Sequence, residues 1–493
     1  MLTFVALAMR TVSLFFGAFI SRTVGAEGVG IYTLIMTVYS FAVTFATSGV
    51  SLTVTRLVAS KIGEGKGAEV VGVLKASSAY ALFFGAVANF LLFFGAELLG
   101  EGVLGDARTV DAIRVLSFSL VPIALGSVFS GYFVGVKRVG FNASVQVIAQ
   151  FVKIFLTTAL VSARINEGVE RAVLALCLSI TLTELLAFGI IFLEFLYDGR
   201  RRGGNKPSSE LSAVVKMALP LAFSAYVRSA LLNIEHILIP RKLRQRGESE
   251  GEAYSHYGAL HGMALPLILY PLSPLSSFAG LLVPEFAEDM SAGRNKRMER
   301  VATRAMTLTL SYAVICATLI YLFAEELGYV IYDSFEAGYY VSLLALVIPI
   351  MYLDHVADSM LKGIGEQVFS MWVNITDSMI SVALVWFLIP RLGILGYALV
   401  IVIMEGYNFL LSVFRLRKKI KFKIDLEEGI FIPLLASVGS AFLTRHLFSF
   451  EGKGAVGVWL SLKITFALSV TLFLFLTLRA LAERRKKRAV FEK

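Results

Sequence analysis

Apolar runs of about 20 residues, the length that carries an α-helix across ~30 Å of hydrocarbon, recur from one end of this chain to the other. In hydrocarbon every backbone N–H and C=O must be satisfied within the protein, so such runs become spanning helices. Of the 493 residues 57% are apolar and only 17% charged, which leaves no room for a large soluble domain. The breaks between runs predict an all-α integral membrane fold of about fourteen spans, near 2–22, 30–55, 76–95, 112–134, 142–163, 172–196, 212–240, 256–284, 302–323, 338–361, 368–390, 392–414, 428–447 and 456–478.

The first run, residues 2–20, is interrupted by Arg10 and has no small-residue cleavage site after a short apolar core, so it reads as a span and not as a signal peptide. The chain opens abruptly on this run, and an upstream start codon stands as an alternative to Met1. Cys177 and Cys316 both lie in apolar runs and offer neither a disulfide framework nor a zinc site. The net charge of +10 falls in short loops and at the C-terminus without interleaved stacking aromatics, which points to a membrane surface and away from nucleic acid.

Basic blocks at Arg200-Arg201-Arg202, Arg417-Lys418-Lys419 and Arg484–Arg488 alternate with acidic loops around Glu97 to Asp111 and Glu325 to Glu336. The positive-inside bias therefore puts both termini in the cytoplasm of a bacterial cell. Arg241, Lys242, Arg244 and Arg246 break the pattern, partly offset by Glu248, Glu250 and Glu252.

An internal duplication is expected. Arg10 precedes Arg22 in span one much as Arg228 precedes Arg241 in span seven; Leu120-Val121-Pro122-Ile123 is echoed by Val347-Ile348-Pro349-Ile350; Gly135 falls opposite Gly363 and Gln146 opposite Asn374. Six spans per copy make the repeat parallel. The expected organisation is an N-terminal lobe over 1–200, a C-terminal lobe over 201–424, and an extra helix pair with a basic tail over 425–493.

Ionisable residues within spans are the site candidates, because a charge at mid-bilayer costs roughly 2.5–3.5 kcal/mol on insertion scales and normally faces a wet cavity or a partner. Arg10 and Arg228 lie in the first helix of each copy, and two guanidiniums facing one cavity would suit a diphosphate. The competing reading of Arg10 is snorkelling to the nearer interface; Arg228, deep between Lys216 and Pro240, has less scope for that. His261 either joins this wall or is a hydrogen-bonded core histidine. Glu235, with His236, and Asn374, Asp377 and Ser378 offer acceptors for a hard cation or a proton, the last three on one helical face. Pro266, Pro271 and Pro274 in span eight predict a bent helix suited to a gate. Asp354, His355 and Asp358 are a proton relay or a polar seam, Glu184 and Glu405 structural pins, and Lys153 the counter-ion of Glu184. Walker and HExxH motifs are absent from the sequence; no cofactor is expected, and a Na+ or H+ gradient or the membrane potential would supply any drive.

Several stretches resemble the polysaccharide-flippase and stage V sporulation protein B branch of the multidrug/oligosaccharidyl-lipid/polysaccharide exporter superfamily. They are Arg10 with Arg22-Thr23-Val24-Gly25-Ala26-Glu27-Gly28-Val29-Gly30-Ile31-Tyr32, Gly131-Tyr132-Phe133-Val134-Gly135 with Gln146 and Gln150, Ile239-Pro240-Arg241-Lys242-Leu243, and Tyr257-Gly258 through Pro266 to Val283-Pro284-Glu285. The resemblance covers roughly residues 1–420 and implies a two-lobed fold with alternating access to an amphipathic lipid-linked sugar. It supports a substrate role for Arg10, since related lipid II flippases use cavity arginines in the first helix. It also raises Glu235, Asn374 and Asp377 as a sodium site. Ser130, Val134, Val145 and Ala149 depart from the sporulation pattern, so a spore-cortex role is one option among several.

The expected activity is thus that of a flippase, not an enzyme, moving a polyprenyl-diphosphate-linked saccharide to the outer leaflet. The expected partners are lipid, the lipid-linked saccharide and cell-envelope glycosyltransferases, with the protein itself a monomer. The rivals are a cation-coupled drug antiporter, which predicts an acidic, aromatic cavity, and a non-transporting scaffold of a cell-wall synthase.

Overall fold

The computed structural model describes residues 2–47, 49–65, 69–136, 138–198, 210–447 and 456–491; the side chains of 2–10, of 481–491 and of a few internal positions lie outside that description. Among the described residues every regular element is helical. The chain forms two compact units, Thr23–Ser255 and a second made of Met1–Arg22 with His256–Lys493. Contact thus groups the first span with the later helices and the seventh with the earlier ones.

The earlier elements are α1 (Leu2–Thr47), α2 (Val50–Gly63), α3 (Val70–Phe94), α4 (Val110–Ser117), α5 (Leu120–Gly135), α6 (Val139–Arg164), α7 (Val169–Tyr197) and α8 (Glu210–Gln245). Then follow α9 (Glu250–Tyr257), α10 (Leu265–Leu269), α11 (Leu272–Ser291), α12 (Asn295–Leu322), α13 (Ala324–Tyr332), α14 (Phe335–Ala345), α15 (Ile348–Gly363), α16 (Gln367–Leu392), α17 (Ile394–Lys419), α18 (Ile432–Leu447) and α19 (Val456–Phe491).

Length and apolarity give nine membrane-crossing helices among the described residues, or twelve when each of three bent pairs is one span. The expected fourteen differs from this count at two places. The run from Thr11 to Ile62 counts once although Gly25 breaks it, and α8 is not counted because positions 220, 221 and 224 within it lie outside the described side chains. Where the sequence suggests a loop after span one, the helix continues and turns at a single residue, Gly25, whose φ of 71° is open to glycine and costly to others.

The duplication is visible in the packing inside each unit. α5 and α15 are each 16 residues long, and each follows a short helix across a bend, 42° for α4–α5 and 58° for α14–α15. A Cβ on Gly135 would lie 3.1 Å from the Thr55 carbonyl oxygen and the Val58 side chain of α2. One on Gly363 would lie 2.8 Å from the Val283 oxygen and 2.7 Å from Phe286 of α11. One constant offset along the chain relates all three pairs: Gly135 to Gly363, Thr55 to Val283 and Val58 to Phe286.

Span eight bends by 57° between α10 and α11, at Tyr270 and Pro271. Pro274 has no N–H for the Tyr270 oxygen, and the Ser273 hydroxyl donates to it instead at 2.7 Å. Tyr352 of α15 donates to the Ile268 oxygen at 2.8 Å and Tyr312 of α12 to the Pro271 oxygen at 2.7 Å. A bend inside a bilayer survives only with such substitutes.

Candidate functional site

Arg228 is exposed on α8, two helical turns from the buried Glu235, and forms no ion pair with any described residue. An arginine within an apolar run faces water, a partner or the nearer interface. The side chain of Arg10 lies outside the described residues. Its helix neighbour Thr11 hydrogen-bonds the Tyr270 hydroxyl at 2.7 Å, which ties the first span to the bend of span eight within the second unit.

His261 sits in a π-helical segment, Gly258–Ala264, half-buried. Its ring stacks on Tyr257 at 5.3 Å with planes 5° apart, and Nδ1 is 3.2 Å from the Tyr397 hydroxyl. Pro266 and Pro274 are exposed, and Pro271 caps α11 at the bend.

Of the residues considered for a cation, Glu235 is 8% exposed and belongs to the unit Thr23–Ser255, whereas Asn374, Asp377 and Ser378 belong to the other. Asn374 Nδ2 donates to the Ser370 oxygen at 2.8 Å and the Ser378 hydroxyl to the Asn374 oxygen at 3.0 Å. Asp377 Oδ1 accepts from Asn408 Nδ2 of α17 at 3.1 Å. Among the described residues there is no group of three or more His, Cys, Asp or Glu arranged to hold a metal ion.

α15, α16 and α17 bring together three carboxyls that look unrelated in sequence. Asp354 lies within electrostatic reach of Asp358 and Asp377, and Glu405 within reach of Asp354 and Asp377. The readable signal is on α17, where Glu405, Asn408 and Ser412 fall at helical spacing on one face. Lys153 of α6 and Glu184 of α7 lie within electrostatic reach of each other.

The motif around Gly25 is architectural. Arg22 Nε donates to the Ile331 oxygen at 2.9 Å, at the C-terminus of α13. Glu27 accepts from Arg108 at 2.9 Å, and Arg108 also grips Asp106. The basic exception after span seven has a similar explanation: Arg244 donates to the Leu104 and Gly105 oxygens at 3.1 Å and Arg241 to that of Gly102, satisfying the carbonyls where the π-helical turn Leu98–Leu104 ends.

A family model described as polysaccharide biosynthesis protein matches residues 1–288, and one described as MatE matches 282–387. The chain is 26% identical to stage V sporulation protein B of Bacillus subtilis (strain 168), over 83% of this chain and 81% of that protein. It is 24% identical to lipid II flippase MurJ of the same organism, over 71% and 69%. Among solved structures, lipid II flippase MurJ in an inward closed conformation superposes with a TM-score of 0.73 at 14% identity, covering 97% of this chain and 99% of that one. An inward-facing multidrug resistance MATE family transporter superposes with a TM-score of 0.68 at 16% identity, covering 85% and 98%. At these identities the structural matches speak for a shared fold.

Proposed function

The chain belongs to the polysaccharide biosynthesis protein family, within the multidrug/oligosaccharidyl-lipid/polysaccharide superfamily, and from that premise we propose that it is a flippase for a polyprenyl-diphosphate-linked saccharide. The substrate is a cell-envelope precursor of the lipid II kind, moved from inner to outer leaflet of a bacterial cytoplasmic membrane by alternating access, with both termini inside. Arg10 and Arg228 recognise the diphosphate, whose oxygens accept the planar guanidinium fork in pairs. His261 is a further substrate contact, and the bend at Pro271 serves as a gate. The observation that carries the reading is Arg228, exposed on an apolar helix with no carboxylate partner among the described residues. The relative named as a lipid II flippase supports the same substrate class.

A Na+ or H+ gradient drives the movement, with Asp354, Asp377 and Glu405 as candidate proton carriers and Glu235, Asn374, Asp377 and Ser378 as the candidate cation ligands. Carboxyls within membrane-spanning helices call for a proton or a partner. The same seam and the MatE match favour a second reading, a cation-coupled drug antiporter. Purified chain in proteoliposomes separates them. A flippase moves a fluorescent lipid-linked sugar between leaflets and leaves a cationic dye gradient untouched; an antiporter does the reverse, and a scaffold for envelope glycosyltransferases does neither.

A further inference from the structure

The first turns of α12, the connector between α17 and α18, and Arg479 of α19 line an open cavity of about 890 Å3 within the second unit. Six cations line it: Lys296, Arg300 and Arg304 on α12, Lys421 and Lys423 on the connector, and Arg479 on α19. Three acids share the lining, and two are engaged. Asp425 accepts the backbone N–H groups of Glu427 and Glu428 at 3.0 and 3.2 Å, while the Glu428 carboxylate lies 3.8 Å from Arg479. Lys296, Arg300, Arg304, Lys421 and Lys423 are all exposed, and none is in an ion pair with a described residue.

Two further features make this a shaped site. Lys296, Arg300 and Arg304 recur every four residues on one helical face, a like-charge stripe that destabilises a helix unless an anion lies against it. The connector is fixed over that stripe by backbone donors: Lys423 N to Thr303 Oγ1 and Asp425 N to Thr307 Oγ1, each at 3.3 Å. Leu308 and Phe422 supply apolar lining. Arg479 closes the apolar stretch Leu462–Ala480, and α12 turns apolar beyond Arg304, so the cavity straddles the border between charged and membrane-crossing residues. Cations above, hydrocarbon below and a location at the span ends match the chemistry of a phospholipid: phosphate toward the arginine forks, glycerol and acyl chain toward the apolar lining.

We propose that this cavity binds the phosphate headgroup of an anionic membrane phospholipid, with Arg300 and Arg304 as fork donors and Lys421 and Lys423 closing from the connector. The site is distinct from Arg10 and Arg228 and does not depend on what the chain carries. Bound lipid clamps the connector to α12 and thereby holds the terminal pair α18 and α19.

The full chain, delipidated in neutral detergent, is titrated by native mass spectrometry with phosphatidylglycerol, phosphatidylcholine, undecaprenyl diphosphate and inorganic phosphate. Phosphatidylglycerol is expected to bind at least about tenfold more tightly than phosphatidylcholine and to be displaced by phosphate at high concentration. The double variant Arg300→Gln/Arg304→Gln loses about tenfold in that affinity, and so, independently, does Lys421→Gln/Lys423→Gln, whose positions lie outside any helix and leave the fold intact. Lys75→Gln on α3 changes nothing. Wild-type affinity in both double variants would overturn the proposal, as would equal binding of phosphatidylcholine. Binding of undecaprenyl diphosphate without phosphatidylglycerol would overturn it too, reassigning the cavity to the polyprenyl lipid.

Discussion

Arg138 and Glu366 occupy one position in the two repeats with opposite charge, and each closes the same kind of clasp. Arg138, after α5, pairs with the buried Asp198 at the end of α7 and lies over Phe141 at 5.7 Å. Glu366, after α15, pairs with Arg415 at 2.7 Å and Lys419 at 2.9 Å at the end of α17, with Arg415 over Phe369 at 5.1 Å. The offset that relates Gly135 to Gly363 also relates Phe141 to Phe369. Lys419 first and Arg415 second hold the Glu366 carboxyl below its usual range. A depressed folded value adds stability above the unfolded pKa of about 4.3 and loses it as pH falls through the folded one. Glu366→Gln therefore lowers the melting temperature by about 1–3 °C at pH 7 in thermal unfolding, and the gap to wild type closes below about pH 4. Arg244→Ala, which strips the Leu104 and Gly105 oxygens of their donor, destabilises by about 1–3 kcal/mol in the same measurement.

At the scale of elements, the bend of span eight and the seats of α5 and α15 decide the geometry. Tyr352→Phe leaves the Ile268 oxygen unpaired in an apolar surround, with a loss of about 1–3 kcal/mol read by denaturation in detergent. Gly363→Leu must push α15 off the Val283 backbone, so a fall in folded yield larger than for any exposed substitution is expected by size-exclusion chromatography. These elements were partly readable from sequence. Proline spacing announced the bend, and the glycine echo announced the repeat. The tyrosines that finish the bend come from helices far along the chain, and nothing local marks them. α13 escaped notice because its nine residues, rich in glutamate, read as an outer loop. The turn at Gly25 looked like a loop because a single positive φ redirects a helix without ending it.

For the whole molecule, long apolar runs and few charges made the all-helical membrane class legible, and the family match bears that out. The candidate site was less so. Arg228 stands out because an arginine in an apolar run is rare; the grouping of Asp354, Asp377 and Glu405 is not legible because three helices assemble it, and the sequence assigns the three acids to a seam, a cation site and a structural pin in turn. The central claim is that guanidiniums in the first and seventh spans carry the diphosphate, and leaflet translocation of a fluorescent polyprenyl-diphosphate sugar by the purified chain tests it most directly. Arg228→Ala and Arg10→Ala should each cut the initial rate by tenfold or more at unchanged folded yield, with Arg228→Lys intermediate because a point charge cannot grip two oxygens. Wild-type rates in both alanine variants would contradict the account.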